Sequence, residues 1–432
     1  MRIATHTLGC KVNQYDTEAM LELFEAAGYE NVPIDDEADV YLINTCTVTG
    51  TGDQKSMKLI RRLGREHPQS DIIVCGCLAQ RTPEKLMLDN VVLVLGCQSR
   101  NDVVKLYDQA KREGRCINAV TSLKGAAFEN LCVTRHEGKT RAVMKIQEGC
   151  DRWCSYCIIP AVRGPIRSMP VENVRKEAKR LADAGYIEIV ITGIHMASYG
   201  RENGEKLIDA IRAVHDTEGV ERVRLGSLEP VVVTEEFRDA IKEMPKLCPQ
   251  FHLALQSGSD TVLQRMKRRY TTDDFREAAK KLRQAFPSCA LTTDVLTGFP
   301  GESDEEAKEN LDFIEEIGFA RLHVFPYSRR AGTLADKMPN QISQEIKHLR
   351  AQKIIELGNK LAEQYVKSTV GTVQKVLFEE IRDGICEGYT PEYVRVRAAA
   401  DEEVCGCSRE VLIDRTEGDT AFGHLVKNNT GT

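Results

Sequence analysis

The sequence predicts an α/β chain in three domains: an N-terminal parallel-sheet α/β domain, a central partial (β/α) barrel and a small C-terminal antiparallel β-barrel. Two alternations and one change of texture predict it. Over residues 1–118, and again over 138–368, short apolar runs alternate with helical stretches, which implies parallel strands covered on both faces. Between them, residues 119–137 lose both patterns in a Ser, Gly, Lys and Glu-containing segment that reads as a linker. From residue 369 to 432 the runs become short, β-rich and separated by turn residues, the mark of a small barrel. A chain of 432 residues, 42% hydrophobic, is long enough for three such cores.

Taken in order, Ile3 to Leu8 reads as a strand, and Asp16 to Ala27 as a helix, with Met20, Leu23, Phe24 and Ala27 at helical spacing before Gly28. Strands follow at Val40 to Asn44, Asp71 to Cys77 and Val91 to Gly96. The second series runs AVMKIQ, EIVITG, RVRLGSLEP, FHLALQSG, ALTTDVLTGFPGE and RLHVFPYS, with helices such as VENVRKEAKRLADAG between. The tails QEGC, ITGIH, GSLEP, QSGS and TGFPGE fall at the strands' C-terminal ends, where parallel barrels carry their chemistry. A helix from Ser343 to Tyr365 closes the series, and QKVLFEE, YVRVRA, EVLIDR and FGHLVK form the last domain.

No apolar run approaches the length of a membrane span, and MRIATHTLGC lacks a charged region followed by an apolar one, so no membrane association and a cytoplasmic location are expected. Fifteen cysteines in a reducing compartment point to metal ligation or catalysis rather than disulfides. A net charge of −6 offers no global attraction for nucleic acid, so any RNA contact must be local.

Cys150, Cys154 and Cys157 are spaced as CxxxCxxC within GCDRWCSYCIIP, directly after the first strand of the second series. Soft thiolates select iron–sulfur clusters, Cu(I) or zinc. A structural zinc site wants four closed ligands, and no second CxxC or HxxxH lies nearby. Three thiols can hold three irons of a [4Fe-4S] cube and leave the fourth open to a small molecule.

The motif, with the aromatic Tyr156 before its last cysteine, resembles that of the radical S-adenosylmethionine (SAM) superfamily. The resemblance implies that SAM chelates the open iron through its amino and carboxylate groups and is cleaved to a 5′-deoxyadenosyl radical. It also implies that Gly193 and Gly298 approach SAM with their backbones, and that Ser227, Glu229 and Gln256 contact its polar groups. Glycines after strands can equally be plain turns.

Cys10, Cys46 and Cys77 each follow a strand of the first series. Neighbouring strand ends converge on one edge of a parallel sheet, so the three could meet and bind a second cube. Cys75, two residues earlier on the strand, reads as core; Cys97, Cys116, Cys132, Cys248, Cys289, Cys386, Cys405 and Cys407 read as ordinary small hydrophobes, with metal binding by the CxC pair Cys405 and Cys407 as the less favoured alternative.

Over nearly its whole length the chain resembles the methylthiotransferases, which makes the three parts a cluster-binding domain, a radical SAM core and a TRAM domain. LGCKVNQYDTE, GCDRWCSYCIIP, TGIHMASYG, HLALQSGSD and FPYSRRAGT most resemble the branch acting on N6-threonylcarbamoyladenosine. The isopentenyladenosine branch tends to read GCQMN at the first cysteine and the ribosomal-protein branch GCPKN. The resemblance implies methylthiolation of carbon 2 of the modified adenosine beside the anticodon of tRNA, two [4Fe-4S] clusters, SAM, and an electron donor such as flavodoxin or ferredoxin. A protein side chain as substrate, isopentenyladenosine, and a structural-zinc RNA-binding protein are the alternatives.

Basic residues cluster in KSMKLIRRLGR (Lys55 to Arg65), RMKRR (Arg265 to Arg269) and YSRRAG (Arg329, Arg330). Such groups give salt-dependent affinity for phosphates. The first cluster reads more simply as a solvated helix face, since Glu66, Leu59, Ile60 and Leu63 are interleaved with it. In the last domain, where acids outnumber bases, Tyr389, Tyr393, Arg395 and Arg397 are the candidates for RNA contact.

Overall fold

The computed structural model describes residues 1–136, 140–399 and 404–426. The expected boundary at residues 137 and 138 and the last residues of the third domain lie outside the described residues.

The first layer is a six-stranded parallel sheet in the order β2-β1-β3-β4-β5-β6. Its strands are β1 (Arg2–Thr7), β2 (Glu30–Val32), β3 (Val40–Thr45), β4 (Asp71–Gly76), β5 (Val91–Val94) and β6 (Ile117–Asn118). Helices α1 (Lys11–Ala26) and α4 (Val103–Glu113) cover one face, and α2 (Gly50–Glu66) and α3 (Cys77–Arg81) the other. Strands β3 and β4 are buried on both faces and their central residues are apolar almost throughout, as a doubly covered parallel sheet requires. Helix α1 begins five residues before the expected start because Val12 and Tyr15 are also buried. The order of connection reverses between β1 and β3, and ligands of such sheets bind in the crevice at that switch.

The second unit is an open barrel. β7 (Arg141–Glu148), β9 (Glu188–Gly193) and β10 (Arg222–Leu225) pair in parallel, with the short β8 (Arg167–Ser168) antiparallel to β7. β11 (Gln250–His252), β12 (Ala290–Thr297) and β13 (Arg321–Pro326) continue the wall, joined to β10 through Val223–Leu247 and Leu228–Leu253 bridges. The covering helices are α5 (Ile159–Arg163), α6 (Val171–Asp183), α7 (Leu207–His215), α8 (Glu235–Lys242), α9 (Asp260–Arg265), α10 (Thr272–Ala285), α11 (Asp304–Ile317) and α12 (Gln344–Lys367). Ile189, Ile191, Val223, Phe251, Leu291 and Val295 face those helices in the largest core. Their alternating neighbours Glu188, Arg222, Arg224, Gln250, His252, Thr292 and Asp294 therefore face the lumen.

The third unit is a closed barrel, β14 (Val373–Arg382), β15 (Ile385–Tyr389), β16 (Arg395–Ala399), β17 (Ser408–Glu417) and β18 (Thr420–Leu425), in the order β14-β15-β16-β18-β17. It is not purely antiparallel: β16 and β18 run parallel. A closed ring with an odd number of strands cannot alternate direction throughout. The strand the sequence reading lacked, β15, spells ICEGY and shows no clean apolar alternation.

The segment between the first two units is not a free tether. Leu131 and Val133 are buried against Tyr15 and Ala19, Tyr15 donates to the Leu131 carbonyl at 2.6 Å, and Glu129 pairs with Arg100 at 2.9 Å. The third unit sits on the foot of the open barrel, at the N-terminal ends of its strands. Arg222 donates to the Tyr389 and Lys375 carbonyls at 3.0 and 2.7 Å, and Arg224 to that of Pro391 at 2.8 Å. Among the described residues no helix is long and apolar enough to cross a membrane.

Candidate iron–sulfur and substrate site

Two glycines draw the strand-edge cysteines together. Gly9 has φ +113°, and a Cβ there would stand 3.2 Å from Cys46 Sγ, so the loops after β1 and β3 touch. Gly76 has φ +92°, and a Cβ there would lie 2.2 Å from Asn44 Oδ1, which packs the end of β4 against β3. Each glycine precedes a cysteine, Cys10 or Cys77, and gives its backbone a conformation that other residues rarely adopt. Asn13, 1% exposed, clamps the crevice by donating to the Leu8 and Thr45 carbonyls at 2.8 and 3.1 Å.

Cys10 is exposed, Cys46 half-buried and Cys77 buried. Cys75 is fully buried in the core, as expected. Cys97, however, is not an isolated core residue: it is hydrogen-bonded to Cys77. That bond and the nearby Arg163 charge draw the Cys77 thiol down against the effect of burial. Cys132 and Cys405 are exposed rather than buried.

The loop triad stands at the head of the open barrel. Each of its sulfurs already accepts one N–H: Arg152 N to Cys150 at 3.3 Å, Arg268 Nη1 to Cys154 at 3.3 Å and Ile159 N to Cys157 at 3.4 Å. Burial pushes the Cys150 thiol to about 12 and Cys157 to about 11, so metal binding there would release protons. Among the described residues no three His, Cys, Asp or Glu side chains converge to hold a single metal ion. A cube has a different requirement, because each thiolate takes its own iron and the sulfurs stand apart.

Glu229 lies at the centre of a buried charge cluster beside the loop triad. Its carboxylate is 2.9 Å from Arg268, 3.3 Å from Arg152 and 3.2 Å from His195 Nε2. Burial works to raise its pKa, but His195, Arg268 and Arg152 together draw it down to about 2. Glu229 Oε2 thus meets both His195 Nε2 and Arg152 Nη2, and makes no further close polar contact among the described residues. Tyr156 donates to Gln256 Oε1 at 3.1 Å, and Gln256 holds a left-handed backbone with φ +67°. Ser227 is exposed at the rim. The two predicted glycines have packing reasons of their own: a Cβ would meet Gln147 Cβ at 2.8 Å from Gly193 and Lys347 Cγ at 2.2 Å from Gly298.

The two triads share a wall. Cys157 leads directly into α5, whose Ile158-flanked apolar face packs with Val162 against Cys77 and Cys97. Arg163, the last residue of α5, is fully buried and donates to Cys77 Sγ at 3.1 Å, Glu148 at 3.0 Å and Asn13. Lys145 bridges Asp16 and Glu148 at 2.5 and 3.1 Å, Arg100 meets Glu148 at 3.1 Å and also Asp16, and Arg167 meets Glu148 at 2.9 Å. Arg100, Lys145, Arg163 and Arg167 thus face Asp16, Glu129 and Glu148, an excess of positive charge lying beside Cys77. Such surroundings favour thiolate.

Below the triads the lumen is polar. Arg224 pairs with Glu188 at 2.7 Å, His252 with Asp294 at 3.4 Å, and the His252 and His323 rings lie 5.9 Å apart. Lys11, the first residue of α1, is exposed, yet its ammonium is disfavoured first by burial and feels Tyr393, Arg141, Arg224 and Glu188. That combination fits a side chain standing in a solvent-filled lumen. Lys11 has no hydrogen bond or ion pair of its side chain among the described residues.

The RNA candidates of the third unit also make contacts within the chain. Tyr389 and Tyr393 stack on each other at 4.7 Å, with Arg141 over both rings and Arg224 over Tyr393 at 4.8 Å. Arg395 pairs with Asp419 at 3.3 Å and Arg397 with Glu387 at 2.7 Å. In RMKRR, Arg268 belongs to the Cys154 and Glu229 cluster instead of facing solvent.

The sequence profile described as "Uncharacterized protein family UPF0004" matches residues 2–96, and that of the Radical SAM superfamily matches residues 144–314. The chain is 42% identical to "Threonylcarbamoyladenosine tRNA methylthiotransferase MtaB" of Bacillus subtilis (strain 168), covering 94% of this chain and 92% of that protein. It is 34% identical to the protein of the same name from Thermotoga maritima, over 95% and 98%. It is also 31% identical to "tRNA-2-methylthio-N(6)-dimethylallyladenosine synthase" of Natranaerobius thermophilus, over 98% and 97%. Among solved structures, the radical S-adenosylmethionine methyltransferase TsrM from Kitasatospora setae shares the fold, with a TM-score of 0.57 at 15% identity over 78% of this chain and 77% of that one. With motifs, sheet-edge thiols and full-length relatives in agreement, the chain belongs to the radical SAM methylthiotransferase family.

Proposed function

We propose that this enzyme methylthiolates carbon 2 of N6-threonylcarbamoyladenosine beside the anticodon of tRNA. In this reading Cys150, Cys154 and Cys157 hold one [4Fe-4S] cube and Cys10, Cys46 and Cys77 a second. The observation that carries it is the wall shared by the two triads, where Arg163, six residues after Cys157, reaches Cys77 Sγ at 3.1 Å. One substrate atom can meet both centres only if they are neighbours. The donor sets suit clusters, since the loop sulfurs accept N–H bonds of the kind that tune iron–sulfur sites.

SAM and the loop cube would supply a radical able to take a hydrogen that acid–base chemistry cannot, and SAM a methyl group. In this reading Glu229, flanked by Arg152 and Arg268, accepts a hydrogen bond from a polar N–H or O–H group of SAM, with Tyr156 and Gln256 fixing the loop beside it. Ser227 at the rim and the backbones of Gly193 and Gly298 complete the proposed contacts. The lumen favours an acidic modified base over the neutral dimethylallyl one. Lys11 offers an unpaired ammonium one residue from Cys10, and the threonyl carboxylate is the group that the neutral base lacks. Electrons would come from a donor such as flavodoxin or ferredoxin, in the cytoplasm.

Nucleoside mass spectrometry of tRNA from cells lacking the protein tests the reading. N6-threonylcarbamoyladenosine should accumulate and its methylthio derivative vanish; loss of the methylthio dimethylallyl nucleoside instead would overturn it.

A further inference from the structure

Two of the three basic stretches, more than 260 residues apart in sequence, meet in one groove of about 890 Å³ on the face of α2. Lys58, Arg61 and Arg65 line it from α2, Arg81 and Lys85 from α3 and the turn after it, and Arg330 from the loop after β13. Asp53 is the one acid among the lining residues. Arg330 and Arg81 hold that acid at 2.6 and 3.7 Å, and Arg81 also donates to the Ala331 carbonyl at 2.6 Å. Those three residues staple the first unit to the barrel, with the two arginines partly offset by the one acid. Lys58, Arg61, Arg65 and Lys85 are exposed and have no side-chain hydrogen bond or ion pair among the described residues. The basic stripe of α2 is thus exposed, as a solvated helix face would be, but it lies in a groove with cations from two other segments.

We infer that this groove is a docking track for the phosphate backbone of the tRNA, an inference that rests on the proposed function. A small anion would call for donors converging on one buried point. Here the free cations are strung along the helix instead, with Lys58 to Arg65 spanning about 10 Å, which suits successive phosphates on one strand. Met57, Leu78 and Ala331 give the groove an apolar floor that ribose can cover. The track also leads to the site. Thr47, next to Cys46, donates to Asp53 at 2.5 Å, and Arg330 donates to Thr47, so the groove borders the strand-edge triad. With a chain charge of −6, such a local patch is needed to attract RNA at all.

The test compares the holoenzyme with a Lys58→Glu/Arg61→Glu/Arg65→Glu variant. Iron content and SAM cleavage in the absence of tRNA should match the wild type, because none of the three touches a cysteine. Affinity for tRNA should fall at least tenfold, and the slope of log affinity against log salt should become shallower by about two, given roughly 0.7–0.9 per phosphate contact. A folding-independent measurement uses the wild type: tRNA should protect Lys58 and Lys85 from acetylation and leave Lys176 reactive. Unchanged affinity and slope in a variant of full iron content would overturn the track alone. Protection of Lys58 by millimolar inorganic phosphate as complete as that by tRNA would also overturn it, as a small-anion site. A wild-type holoenzyme that binds no tRNA would sink the functional reading together with the track.

Discussion

The loop triad comes from one short segment, Cys150 to Cys157, while the strand-edge triad is gathered from three loops as far apart as Cys10 and Cys77. The first is built by local backbone: its sulfurs accept N–H groups from Arg152 in the same loop and from Ile159 at the start of α5, and one from Arg268. The second is built by sheet topology and by close approach, through Gly9 against Cys46 and Gly76 against Asn44. A contiguous site tolerates movement of its surroundings; a gathered one depends on every strand that delivers a thiol. Between them stands Arg163, which reaches from the helix that follows Cys157 to Cys77 Sγ.

The largest expected effect separates the roles of the two triads. Cys154→Ala should reduce SAM cleavage to the uncatalysed background, at least about 10³-fold, as measured by 5′-deoxyadenosine release. Cys77→Ala should leave that release within about threefold while thiolated nucleoside disappears. Equal loss of both signals in both variants would mean that the two triads do not have separate roles.

Next comes the shared wall. Arg163→Leu leaves Glu148 and Asp16 short of a buried partner and should destabilise the chain by about 3–5 kcal/mol in urea unfolding of the apo-protein. Loss below about 1 kcal/mol would mean that the triads are held independently. Tyr393→Ala removes a stacked ring and two arginine–ring contacts at the barrel foot, so it should lower stability by about 2 kcal/mol. Its tRNA salt slope should not change, because the ring carries no charge and stacks at the seam between the two barrels. Smallest is Lys11→Gln, expected to raise KM for an anticodon stem-loop carrying threonylcarbamoyladenosine about tenfold, the loss of one charge-assisted contact. kcat should stay within about twofold, and an anticodon stem-loop carrying dimethylallyladenosine should gain relative to it.

How far each site could be read from sequence follows from how it is built. The CxxxCxxC spacing carries the loop triad by itself, and apolar runs such as VYLIN and DIIVCG mark the doubly covered strands whose ends bring Cys46 and Cys77 to one edge. Glu229 and Gln256 stood out as strand tails, and the structure puts both beside the loop triad. Arg163 carries no signal, and although Asn13 and Asp16 lie within LGCKVNQYDTE and Glu148 within the strand tail QEGC, nothing in those stretches marks them as one buried network, because such a network has no spacing rule. Arg268 and the α2 lysines and arginines were visible as charge, but which of them faces inward is decided by packing. Tyr389 and Tyr393 resembled stacking platforms for bases, whereas tertiary contact uses them to seat the third barrel on the second.

If the proposed function is right, each triad holds its own cube. Iron and acid-labile sulfide in anaerobically reconstituted protein test it most directly. The wild type should contain about eight irons per chain, and about four in either the Cys150→Ala/Cys154→Ala/Cys157→Ala or the Cys10→Ala/Cys46→Ala/Cys77→Ala variant. Zinc without sulfide, or an iron content that one of the two triple variants leaves unchanged, would contradict it.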